Sequence, residues 1–86
     1  MAIVVVFGVE IEESCAEYLR LVVKYAGSGD SDKREVRRRA LRNLGRLGCR
    51  MALFYLIDTY SGSGDSDKRE VRKMAFEILE HLDGIR

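Results

Sequence analysis

The sequence predicts an all-α fold, a single domain over residues 1–86 built as an antiparallel up-and-down bundle of three helices near residues 2–26, 32–60 and 67–83. Three observations carry this expectation. Apolar residues recur at helical spacing along most of the chain. No proline interrupts it, so long helices are permitted. The segment GSGDSDKREVR occurs twice without a change, at residues 27–37 and 62–72, which sets an internal repeat of 35 residues.

In the first predicted helix, Val4, Gly8, Ile11, Cys15, Tyr18, Val22 and Tyr25 form a heptad-like stripe, with Glu10, Glu13, Glu17, Arg20 and Lys24 opposite. A strand over residues 3–11 competes, because Ile-Val-Val-Val-Phe favours β structure. A lone strand needs a partner, and no second strand is evident. The apolar start has no Lys or Arg before it and acidic residues after it, so it does not read as a secretory signal. It is also shorter than the roughly 20 residues of a membrane-spanning helix.

The two loops, residues 27–31 and 62–66, read as helix stop and start signals. Gly-Ser-Gly lets the chain leave a helix. Asp30 or Ser31, and Asp65 or Ser66, can accept from the free N–H groups of the next helix. Asp32 and Asp67 then place negative charge in its first turn. Asp30 and Asp32 also have the spacing that starts a calcium loop, but Glu35 and Leu41 stand where that loop wants Gly and Glu.

In the second predicted helix, Val36, Ala40, Leu44, Leu47, Met51 and Phe54 form one stripe and Arg39, Arg42, Arg46 and Arg50 another. Both run unbroken past Gly45 and Gly48. The alternative is a five-helix, solenoid-like repeat with breaks at residues 13–14 and at Gly48, where Ser14 and Glu17 resemble a capping box. The third helix repeats the apolar positions of the second: Val36, Ala40, Leu41, Leu44 and Leu47 align with Val71, Ala75, Phe76, Leu79 and Leu82.

Folding the three helices about their loops brings Gly8, Gly45 and Gly48 to one level, which predicts close helix packing there. The short third helix leaves Leu19, Val22 and Val23 at a two-helix end. Ile3, Val6 and Val9 fall outside the main apolar arc of the first helix, and Leu53, Leu56, Ile57 and Tyr60 fall on the arginine side of the second. Three helices cannot bury all of these, so they are the expected interface of an oligomer that completes the core.

In its verbatim linker-and-cap, its charged helix surfaces and its lack of proline, the chain resembles computationally designed helical bundles and helical-repeat proteins. That resemblance implies a structural role, as an oligomer, cage, pore or binder, without enzymatic activity. The Val-rich run at residues 3–9 and the mid-helix glycines depart from the usual helix-forming choices of such designs.

Other chemistry has little support. Fifteen Lys+Arg against fourteen Asp+Glu give a formal net charge of +1, which excludes a strongly cationic domain. An apolar content of 47% with 34% charged residues describes a soluble folded chain rather than a disordered one. His81, the single histidine, is expected on a solvated face with no nucleophile beside it. In the hairpin register Cys15 levels with residue 42, about 10 Å along the axis from Cys49. That exceeds the roughly 4.4–6.8 Å of a disulfide, so buried free thiols are expected, in a reducing compartment such as the cytosol of an expression host. The row Arg38, Arg39, Arg42, Arg46 and Arg50, with Arg34 and Arg37 nearby, could meet phosphates, but salt bridges to the first helix are the expected use. No cofactor or metal is expected. The predicted function is a self-associating scaffold whose partner is itself. The alternatives are a module that receives a partner helix in an apolar groove along residues 15–42, beside the short third helix, and an arginine-stripe nucleic-acid binder.

Overall fold

The computed structural model describes residues 2–84. The chain is mostly helical and opens with a small two-stranded sheet. The order is β1 (Ile3–Val6), β2 (Val9–Glu12), α1 (Glu13–Tyr25), α2 (Ser31–Arg46), α3 (Arg50–Thr59) and α4 (Ser66–Leu82).

The predicted first helix is therefore half hairpin, because the apolar run supplies its own partner strand. β1 and β2 pair antiparallel, with Val4 opposite Ile11 and Val6 opposite Val9. Phe7 and Gly8 form the two-residue turn, both at positive φ (51° and 78°). Such turns match the right-handed twist of the strands they join. Val4, Val6, Val9 and Ile11 face the core, while Ile3 and Val5 are exposed. The Phe7 ring stacks on Tyr55 of α3 at 5.5 Å, which holds a bulky residue in a backbone region it rarely adopts.

The predicted second helix is also two. α2 ends in a Schellman motif: Cys49 N–H donates to Leu44 C=O at 2.9 Å and Gly48 N–H to Gly45 C=O at 3.0 Å, with Gly48 at φ 70°. The break shifts the buried positions. They run Arg37, Ala40, Leu41 and Leu44 in α2, then Cys49, Ala52, Leu53 and Leu56 at and within α3. Leu47, Met51 and Phe54, which continue the α2 stripe in sequence, are exposed. The five-helix alternative places this break correctly, but it expects a helix where the β-hairpin stands.

Two helical hairpins result. α1 packs on α2, α3 packs on α4, and α2 meets α4 to join the pairs. The β-hairpin lies against α1 and α3. A radius of gyration of 12.0 Å matches the value of about 12 Å for a folded chain of this length. The buried residues of all six elements form one core within the chain.

Cys15 and Cys49 form a disulfide, with Cα atoms 6.1 Å apart. This corrects the expectation of free thiols, which rested on a helix continuous through Gly48. The break carries Cys49 to the start of α3, beside the first turn of α1. The argument for a reducing compartment loses its premise with it.

Candidate assembly faces

The two copies of GSGDSDKREVR lie side by side at the starts of α2 and α4. Asp30 Oδ2 accepts from Lys33 N–H and Asp65 Oδ2 from Lys68 N–H, both at 3.1 Å. The aspartates are thus the capping residues, and Ser31 and Ser66 are the first residues of their helices.

The seam between the copies centres on Arg37, which is fully buried. Its Nη1 donates to the carbonyls of Tyr25, Ala26 and Ser28 at 3.1, 3.2 and 3.3 Å. These carbonyls lie at the end of α1 and in the loop after it, where that of Tyr25 also accepts from Ser28 N–H at 3.1 Å, and a cation there also complements the helix dipole. Its Nη2 donates to Glu70 Oε1 at 2.8 Å and Asp67 Oδ1 at 3.4 Å. Arg34 pairs with Asp67 at 2.8 Å and Arg38 with Glu70 at 2.9 Å. The hydrogen bond from Arg34 holds the Asp67 carboxyl below its usual value, and that from Arg38 does the same for Glu70. Arg39 and Arg42 pair with Glu35 and Arg50 with Asp83. The first copy's arginines are therefore neutralised largely by the second copy's acids, not by glutamates of the first predicted helix.

The predicted close packing of three glycines narrows to one. A Cβ at Gly45 would sit 2.7 Å from Ile78 Cγ2, so α4 approaches α2 through this gap. Gly8 and Gly48 have open space where a Cβ would be; they serve positive-φ turns instead.

The predicted interface residues require correction too. Leu19, Val22, Leu53 and Leu56 are fully buried and Val6 and Tyr60 nearly so, all inside the chain's own core. Val9, Val23 and Ile57 pack half-buried against it, and among these residues Ile3 is the exposed one. The predicted groove along residues 15–42 is covered in part: the second helical pair buries Leu19, Val22 and Leu41, while the side lined by Tyr18, Leu21 and Val36 stays open between α1 and α2.

Exposed apolar surface lies elsewhere. Leu19 and Leu41 of the first helical pair are 0% exposed, whereas Phe54 and Phe76, their counterparts 35 residues on, are 51% and 53% exposed. With Ile57 and Leu79 they line a groove of about 200 Å³ between α3 and α4. The signal was present in the repeat: among the described residues no third unit covers the outward face of the second. His81 is exposed. No group of His, Cys, Asp and Glu suited to a metal occurs among the described residues, and no described helix is long and apolar enough to cross a membrane. Comparisons with known proteins found no matching family, curated protein or solved structure.

Proposed function

We propose that this chain is a structural, self-associating helical-repeat scaffold of the computationally designed kind, acting by assembly and not by catalysis. The observation that carries the reading is the contrast between buried Leu19 and Leu41 and exposed Phe54 and Phe76. The same two repeat positions that bury apolar side chains inside the molecule present aromatic rings to solvent at its end. Contiguous apolar surface of this kind marks an interaction site. The unchanged repeat segment, whose two copies pair with each other across α2 and α4, supports a modular structure. Light scattering coupled to size exclusion tests the reading: the mass rises above the 9.8 kDa chain as concentration increases.

The second reading is a module that binds an amphipathic helix from another protein. The groove of Phe54, Ile57, Phe76 and Leu79 favours it. A monomer that binds a hydrophobic dye, and loses the dye when Phe76→Glu is introduced, would favour this reading over self-association. The nucleic-acid reading is weakened by pairing, since Arg34, Arg37, Arg38, Arg39, Arg42 and Arg50 all contact carboxylates.

A further inference from the structure

The groove between α3 and α4 has a matching face at the other end of the molecule. α3 and α4 bury Leu53, Leu56 and Val71. Their counterparts 35 residues earlier are Tyr18, Leu21 and Val36. Tyr18 and Leu21 are half-buried and Val36 is 38% exposed. Together they line a second groove of about 190 Å³ between α1 and α2. No β-hairpin residue lines either groove. One end of the molecule thus carries the surface that a preceding unit would cover, and the other end the surface that a following unit would cover.

The charges match in the same register. Inside the molecule Asp67 and Glu70 meet Arg34, Arg37 and Arg38. Thirty-five residues earlier the acids are Asp32 and Glu35, on the Val36 end. Thirty-five residues later the bases are Arg69, Arg72 and Lys73, on the Phe76 end. These three side chains are exposed and make no ion pair among the described residues. Glu35 holds only exposed arginines of its own helix.

We propose that a second copy of this chain docks head to tail, its Tyr18–Leu21–Val36 face on the Phe54–Ile57–Phe76 face of the first. The self-association reading underlies this assignment, which adds the surfaces, their polarity and their register. Asp32 of one copy meets Arg69 and Arg72 of the other, and Glu35 meets Arg72 and Lys73. Arg72 turns toward the carbonyls of Tyr60 and Ser61, counterparts of two that Arg37 caps, while the Ser63 carbonyl accepts from Arg69 Nε at 3.1 Å. The contact is more polar than the internal seam. Asn43 stands where Ile78 stands inside, and Glu80 stands where Gly45 receives it. Because the two surfaces differ, the contact is heterologous, and assembly continues past the dimer.

Charge reversal tests this. One variant carries Asp32→Lys with Glu35→Lys, the other Arg72→Glu with Lys73→Glu; all four sites are exposed, and circular dichroism checks that each variant folds. Mass is followed by light scattering up to about 1 mM. Each variant alone sets like charges opposite each other, and its association weakens on the order of 100-fold. An equimolar mixture restores opposite charges at both junctions and regains the wild-type mass. Association of the wild type that neither reversal weakens, that stops at a dimer, or that the mixture fails to regain overturns the head-to-tail assignment while self-association stands. A wild type that stays monomeric throughout overturns both.

Discussion

Arg37 and Arg72 hold the same position in the same eleven-residue segment, yet Arg37 is fully buried and Arg72 is exposed. Identical local sequence gives both a helical backbone. What differs is the neighbour: the second helical pair covers Arg37, and nothing among the described residues covers Arg72. Truncating them should therefore have unlike consequences. Arg37→Ala strips a buried cation from three carbonyls and two carboxylates and should cost about 3 kcal/mol. Arg37→Lys should recover little, because a point charge cannot reach both sets of partners. Arg72→Ala should change monomer stability by no more than about 0.5 kcal/mol. Urea denaturation of dilute samples checks all three.

Gly45→Ala sets two effects against each other. Alanine favours a helix over glycine by about 1 kcal/mol. The new methyl, however, would meet Ile78 Cγ2 at 2.7 Å. That carbon is attached directly to the branched Cβ and cannot swing away as a long side chain could. Overpacking costs about 1–3 kcal/mol, so the net change should be destabilising by about 1 kcal/mol. In an Ile78→Ala background the obstruction is gone, and the same substitution should become stabilising. Thermal melts of the four proteins complete the cycle.

The Cys15–Cys49 bridge closes a span of 34 residues and ties the first turn of α1 to the start of α3. Crosslinks of this length stabilise by about 2–4 kcal/mol. Reduction, or Cys15→Ser with Cys49→Ser, should lower the melting temperature by at least about 10 °C for a domain of this size. The reduced protein and the double serine variant should melt alike.

Acid should loosen the seam between the two helical pairs. The hydrogen bond from Arg34 lowers the Asp67 carboxyl from its ordinary 3.8, and that from Arg38 lowers Glu70 from 4.5. A carboxyl whose folded value lies below its unfolded value contributes stability that is complete above the unfolded value. That contribution is lost as pH falls through the folded value. The loss should therefore begin near pH 4.5 for Glu70 and 3.8 for Asp67, and continue below them. Asp67→Asn with Glu70→Gln should flatten the pH dependence of urea stability below this point.

The repeat, the two helix starts and the helical character of residues 13–46 could be read from the sequence, because each has a local cause. The N-terminal hairpin could not. Its turn is Phe-Gly rather than Asn-Gly, and Ile3 and Val5 make its outward face apolar, which hides the alternation of a strand. The Phe7 geometry is secured by Tyr55, 48 positions later. The break at Gly48 was visible as a glycine, but the sequence continued a plausible apolar stripe through Met51 and Phe54. Both residues turn out to face solvent. A helix continuous through Gly48 puts the two cysteines too far apart for a bridge and leaves the core residues surplus to a three-helix bundle. The exposed ends were legible only by asking which repeat positions lack a covering neighbour.

The most direct test of the account is the mass of the unreduced chain in solution, measured by light scattering across a wide concentration range. The account predicts a mass that climbs with concentration through successive multiples of 9.8 kDa. A mass fixed at one chain at every concentration would contradict it.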